Sequence, residues 1–109
     1  MADLTAKQIM EEIIPQRITA KPELLTEINA VIIFDIGGSK WTLDATKPTD
    51  WVKAGTDGVT AKMTVTVSEA DFSAMANKKL NPNMAAMSGK LKLKPMDINL
   101  ALKLGKLLA

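Results

Sequence analysis

The stretch Val31-Ile32-Ile33-Phe34-Asp35-Ile36-Gly37-Gly38-Ser39-Lys40-Trp41-Thr42-Leu43-Asp44-Ala45 decides the fold class. Its side chains alternate with a period of two, which is the period of a strand and not of a helix. Ile32, Phe34 and Ile36 share one face, and Val31, Ile33 and Asp35 share the other. Gly37-Gly38 accepts positive φ and makes a tight turn. After it, Trp41 and Leu43 point one way and Thr42 and Asp44 the other. The reading is a hairpin with one apolar face, and an apolar face needs a cover.

Working outward, "WVKA" (51–54) reads as a third strand after the turn Lys47-Pro48-Thr49-Asp50. "AKMTVTV" (61–67) reads as a fourth, with Met63, Val65 and Val67 facing in. "KLKLK" (90–94) reads as a fifth, its outer face guarded by lysine in the manner of an edge strand. Helix signals fill the gaps. Thr5 and Gln8 make a capping box before Ile9, Met10, Ile13 and Ile14, and Pro15 is expected to end or kink that helix. Pro22 opens a short second helix carrying Leu24, Leu25 and Ile28. Ser68 to Asp71 caps a helix with Phe72, Met75 and Ala76, and Asn81-Pro82 starts another that Gly89 ends. Residues 96–109 close the chain as a helix. The predicted fold is α+β, a single domain over 1–109 in which helices cover one face of a five-stranded sheet.

Composition removes several chemistries. The chain of 109 residues has no Cys, no His and no Tyr. Disulfides, thiol chemistry, His-based triads and zinc sites built on His or Cys are therefore excluded. No apolar run approaches the roughly 20 residues of a membrane span. The segment "MADLTAKQIMEE" lacks the basic and apolar regions of a secretion signal, so a cytoplasmic protein is expected. The net charge of +2 is unevenly spread. Residues 1–72 hold seven basic and eleven acidic side chains, a balance of −4. Residues 73–109 hold seven Lys and only Asp97, a balance of +6. The basic third is either a solvated lysine face or a surface for anionic lipid or phosphorylated ligands. Nucleic acid is not expected, because Arg17 is the only arginine and no aromatic lies among these lysines.

The last helix is apolar over an arc of about 240°, taking 3.6 residues per turn. Met96, Leu107, Leu100, Leu104, Leu108, Ala101, Ile98 and Leu102 fill it, and Asn99, Lys103 and Lys106 form the polar wedge. A surface helix needs a stripe of little more than about 100°. One flank can lie on the sheet; the other calls for a second apolar partner or a crowded corner of the core. Met75, Met84, Met87 and Met96 all fall in segments that would cover the sheet, where Met serves either as gap-filler or as an adaptable wall for acyl chains. Catalysis has little support. Asp35 and Asp44 form a carboxylate pair on paper, on the face opposite Phe34 and Leu43, where carboxylates are usually solvated.

The motifs carry a resemblance. Lys79-Leu80-Asn81-Pro82, Met84-Ala85 and Gly89-Lys90-Leu91-Lys92-Leu93 are similar to the K-L-N-P-x-x-A-x-x-x-G-K-L-K-I signature of the sterol carrier protein type-two family. Leu100-Ala101-Leu102-Lys103-Leu104 resembles that family's L-A-M-K-L helix. Val65-Thr66-Val67-Ser68 with Asp71-Phe72, and Phe34-Asp35-Ile36-Gly37 with Trp41-Thr42-Leu43, fit it too. The matches are in order and span nearly the whole chain. The resemblance implies a hydrophobic tunnel between sheet and helices and binding, without catalysis or cofactor, of fatty acids, acyl-CoA, phospholipids or sterols. On that reading the sheet side of the lipid site is Ile32, Phe34, Trp41, Leu43 and Val65. The helix side is Phe72, Met75, Met84, Met87, Met96, Leu100 and Leu104, with Lys90, Lys103 and Lys106 near the head group. Ala86 and Met87 stand where many members carry a bulky aromatic pair, which implies a wider wall. Expected partners are the lipid itself, transient contact with a membrane, and an enzyme of lipid metabolism. The alternative is an adaptor domain that docks on such an enzyme through its last helix.

Overall fold

The computed structural model describes residues 5–56, 58–94 and 97–108. In it the alternating stretch forms β1 (Val31–Ile36) and β2 (Ser39–Asp44), antiparallel and joined through Gly37 and Gly38 at φ 58° and 95°. β3 (Val52–Ala54), β4 (Met63–Val67) and β5 (Leu91–Lys94) complete one sheet in the order β3-β2-β1-β4-β5. β1 and β4 are parallel, and every other pair is antiparallel. The register lines up apolar rows across the strands. One row runs Ala54, Trp41, Phe34, Val65, Leu93; a second runs Leu43, Ile32, Met63; a third pairs Ile36, Val67 and Leu91. Apart from Ala54 at the edge, all of these side chains are buried.

Helices cover that face. Thr5 caps α1 (Ala6–Gln8) as its spacing predicts: Gln8 N–H donates to Thr5 Oγ1 at 3.1 Å, and Thr5 N–H donates to Gln8 Oε1 at 2.9 Å. The helix does not stop at Pro15. It runs on through a π-helical segment (Ile9–Ile13) into α2 (Ile14–Ala20), where Pro15 sits in the first turn. Proline lacks an N–H and its ring crowds the carbonyl one turn back, so a locally widened turn ahead of it removes the clash. Ile9, Met10, Ile14 and Ile18 are buried, and Glu11 and Glu12 are exposed.

α3 (Glu23–Ile28) follows Pro22 and ends on Asn29 in the left-handed conformation, φ 40°. α4 (Glu69–Ala76) is capped by Ser68, whose Oγ accepts from Asp71 N–H at 3.1 Å. It buries Phe72 and Met75, and the Phe72 ring lies 6.0 Å from that of Phe34. α5 (Pro82–Met87) and α6 (Ile98–Leu108) finish the cover.

The outer sheet face is not uniformly wet. Thr42, on the face opposite Trp41 and Leu43, is buried because the loop after β3 folds over it, and its Oγ1 donates to Gly55 O at 2.7 Å.

Arg17 ties the helical layer together. Nη1 donates to Leu107 O at 2.9 Å and Nη2 to Ala76 O at 3.0 Å, so one guanidinium bridges α2 to the C-terminal ends of α6 and α4. A cation is favoured at a helix C-terminus, and the planar fork serves two acceptors at once. Partial burial lowers the guanidinium pKa from its usual value, though such a group stays charged. Replacing Arg17 with Gln is expected to lower stability by about 2 kcal/mol in urea unfolding. Arg17→Lys should recover less than half of that, because an ammonium presents no fork. A loss below about 0.5 kcal/mol for Arg17→Gln, the range of a featureless surface change, would show that the bridge holds nothing together.

Candidate functional site: the groove between the last two helices

α5 and α6 lie side by side over β4 and β5. Asn81 opens α5, its Oδ1 accepting from Asn83 N–H at 2.8 Å and Met84 N–H at 3.4 Å. Pro82 and Ala85 are the buried side chains of this short helix. Asp97 opens α6, its Oδ1 accepting from Leu100 N–H at 3.1 Å. The two helices come close at Gly105, where an added Cβ would stand 3.7 Å from Asn83 Oδ1 and 3.9 Å from the Pro82 side chain. Glycine inside a helix costs about 1 kcal/mol relative to alanine, and here a methyl would reach its neighbours only at ordinary contact distance.

Two spaces meet there. Outside, an open groove of about 710 Å³ is lined by Asn81, Pro82, Asn83, Asn99, Leu102, Lys103, Gly105 and Lys106. Inside, a narrow apolar slit of about 20 Å³ is bounded by Val65, Ala86, Leu91, Leu93, Ala101, Leu104 and Leu108, and by the same Pro82, Asn83 and Gly105. The three shared residues form the partition between groove and slit. The slit holds about one water-sized volume, so the layers are packed together here and no open tunnel of acyl-chain size appears among the described residues.

The structure gathers most of the expected lipid-facing residues. Ile32, Phe34, Trp41, Leu43 and Val65 share the covered sheet face; Phe72, Met75, Leu100 and Leu104 are buried in the helical layer. Val65 and Leu104 reach the slit. Met96 lies outside the described residues. Met84 and Met87 are placed otherwise than expected: they are 62% and 85% exposed and point away from the sheet. The cause is geometric. Pro82, Ala85 and half-buried Ala86 bring α5 down on its small side chains, and the methionines take the opposite side of the turn. Lys103 and Lys106 line the groove, whereas Lys90 does not; it lines a shallow depression with Asp35, Gly37, Gly38 and Lys92. Lys106 Nζ lies 3.6 Å from Glu27 Oε1.

Asp35 and Asp44 do not form a pair. Asp35 stands opposite Lys40 and Asp44 opposite Val31, four residues apart along the hairpin, about 13 Å at the rise of a strand. Asp44 is engaged by Thr46: its Oδ1 accepts from Thr46 N–H at 2.9 Å and from the Thr46 hydroxyl. The hydroxyl bond to Thr46 is the main cause that holds its carboxyl below the usual range, and a carboxylate so held is a poor base. Among the described residues, no group of three or more Asp or Glu is placed to hold a metal ion. Trp41 Nε1 and Ser73 Oγ are buried polar atoms with no hydrogen-bond partner among the protein atoms.

The fold and the groove together define a two-layer α+β domain whose helical cover parts along one seam above an apolar sheet. The chain belongs to the SCP-2 sterol transfer family, which matches residues 10–109. Hydroxysteroid dehydrogenase-like protein 2 of Danio rerio is 35% identical over 91 residues, 81% of this chain and 22% of that relative. The chain thus spans about a fifth of such relatives. Non-specific lipid-transfer protein-like 1 of Caenorhabditis elegans is 33% identical over 106 residues, covering 92% of this chain and 86% of the relative. The solution structure of palmitated SCP2L2 from Aedes aegypti matches with a TM-score of 0.74 and 25% identity, over 96% of this chain and 95% of that one. The sterol carrier protein domain 2 of Helicoverpa armigera has a TM-score of 0.77 at 20% identity, over 99% and 92% of the two chains, and shows the shared fold.

Residue spacing alone missed the small residues of the seam, Pro82, Ala85, Ala86, Ala101 and Gly105. The available signal was Gly105, out of place in a helix with no turn to make. Because a methyl at Gly105 meets its neighbours at ordinary van der Waals distance, Gly105→Ala is expected to raise stability by about 0.5–1 kcal/mol in chemical denaturation. A destabilised Gly105→Ala protein would show the helices to be closer than this contact allows.

Proposed function

We propose that this protein binds lipid tails, among them fatty acyl chains, acyl-CoA, phospholipid or sterol, and transfers them without catalysing a reaction. The closeness of the outer groove to the inner slit, parted only by Pro82, Asn83 and Gly105, carries the reading. In this account the tail enters when α6 moves away from α5. It then lies between the apolar rows of the sheet and the helices, with Lys103 and Lys106 at the head group. Each methylene buried contributes about 0.8 kcal/mol, so a long chain offsets the cost of parting the packed layers. Membership of a sterol transfer family and the similarity to a palmitated structure support it. A partner enzyme of lipid metabolism fits the same reading, since several relatives are far longer proteins with dehydrogenase-like names.

Native mass spectrometry of the freshly purified protein, with displacement of a fluorescent acyl probe, tests the carrier function. The expected result is co-purifying lipid and saturable displacement. The chain has no cysteine, so Asn83→Cys with Gly105→Cys can be cross-linked by a short thiol reagent. Cross-linked protein is expected to exclude the probe and uncross-linked protein to admit it. Equal uptake by both would reject entry between α5 and α6, and no uptake by either, or by the wild type, would reject the carrier.

The closed interior favours a second reading, an adaptor that docks on a lipid-metabolising enzyme through α6. The same titration separates the two, because an adaptor takes up no acyl probe at any concentration.

A further inference from the structure

Trp41 brings a hydrogen-bond donor into the apolar layer between sheet and helices. The side chain is 8% exposed, and its Nε1 is buried with no acceptor among the described residues. Trp51 shows the ordinary arrangement, its Nε1 donating to Lys47 O at 3.1 Å. A buried N–H left unmet is costly, and phenylalanine would fill an apolar position without that cost. Ser73 Oγ, on α4, is also without a partner, but a hydroxyl rotates and can turn to the carbonyl one helical turn back. The indole N–H is fixed in the plane of its ring and can only donate. Trp41 also stands on a row that begins at the slit. Leu93 and Val65 line the slit, and the register carries the row on through Phe34 to Trp41. Neighbouring strands lie about 4.8 Å apart, so the three steps from Leu93 to Trp41 span about 14 Å. A tail that enters at the slit and lies across the strands brings its leading end to the indole. We infer that Trp41 Nε1 donates a hydrogen bond to a neutral oxygen, a hydroxyl or a ketone, at the leading end of the bound tail. Trp41 is then a specificity-determining residue, an inference that rests on the proposed uptake of lipid tails.

The surroundings set the class of oxygen. Thr42 and Ser73 are the buried polar side chains among the described residues, and neither is charged. Thr42 lies on the opposite face of the sheet and is engaged with Gly55 O. Arg17 is committed to the carbonyls of Leu107 and Ala76. A carboxylate led into this layer would meet no cation, and an unpaired buried charge is far costlier than a neutral group. The acid group of a fatty acid therefore stays outside, and a neutral oxygen leads. A hydroxyl or ketone there satisfies the indole N–H, whereas a methyl end leaves it unmet. Without the donor, the same buried oxygen would only weaken binding, because it would lose its water and gain no partner.

Two pairs of ligands test this by displacement of a fluorescent acyl probe from the full chain. One pair is hexadecanoic acid and its ω-hydroxy analogue; the other is cholestane and cholestanol. Trp41→Phe keeps an aromatic ring and removes the N–H. It should shift the ratio of affinities about tenfold toward the plain member of at least one pair. Trp51→Phe, at an indole that already has its acceptor, should keep the wild-type ratio. A shift in the acid pair assigns a hydroxylated acyl tail, and a shift in the sterol pair assigns a sterol that enters hydroxyl first. A second measurement uses the wild-type protein and does not depend on how the variant folds. The chain has two tryptophans, so its indole N–H groups give two NMR signals, which Trp51→Phe assigns. The oxygenated ligand should move the Trp41 signal downfield, and the plain ligand should move it less. A ratio that Trp41→Phe leaves unchanged in both pairs, or a Trp41 signal that no oxygenated ligand moves, would overturn the assignment and leave the carrier function standing. Uptake of no member of either pair would overturn both.

Discussion

The helical cover depends on one cation. Arg17 reaches from α2 to the last carbonyls of α4 and α6, two helices whose sequences lie far apart. Glu69 adds a smaller tie, its Oε2 accepting from Ala6 N–H at 3.0 Å. Helix ends leave carbonyls without partners, and the guanidinium supplies two of them from a single side chain. This fixes where α6 ends, which fixes where Leu104, Leu107 and Leu108 meet the sheet and where Gly105 meets Pro82. Leu104 and Gly105, at the slit and the groove, lie within one turn of this contact, at the far end of the helix from Ile98.

The sheet was legible because its code is simple. A period of two with one apolar face leaves a single way to lay Phe34, Trp41 and Val65, and the observed register puts them in one row. The caps at Thr5, Ser68 and Asn81 were legible for the same reason: each needs one oxygen at one spacing. α5 was harder. It has two methionines on one side and prolyl and alanyl carbons on the other, and hydrophobicity favours the methionines as the buried side. Close packing of two helices favours small residues, and it prevailed. The burial of Thr42 was not legible, since no strand pattern announces a loop that folds back over it. Pro15 does not end its helix, because a widened turn ahead of it accommodates the ring.

For function, the packed interior and the family membership pull in different directions, and the seam at Gly105 reconciles them. Apolar layers in contact are the low-energy state when no guest is present, since open apolar volume forfeits dispersion contacts. A carrier that closes on itself keeps water out of its sheet. On the proposed reading it would open where two helices meet through glycine, proline and alanine and not through interlocked large side chains.

The strand order has a consequence for how the protein forms. β1 is central, yet one of its two partners, β4, follows it in the chain only after β2, β3 and the loop over Thr42. During synthesis the β1–β2–β3 meander can assemble at once, leaving the inner edge of β1 without hydrogen bonds until residues 63–67 arrive alongside in parallel. An unpaired, apolar edge invites pairing with another chain, and parallel contacts of long sequence separation close slowly. The step that sets the folding rate, and the moment of greatest exposure to aggregation, is therefore the docking of β4 at the middle of the sheet.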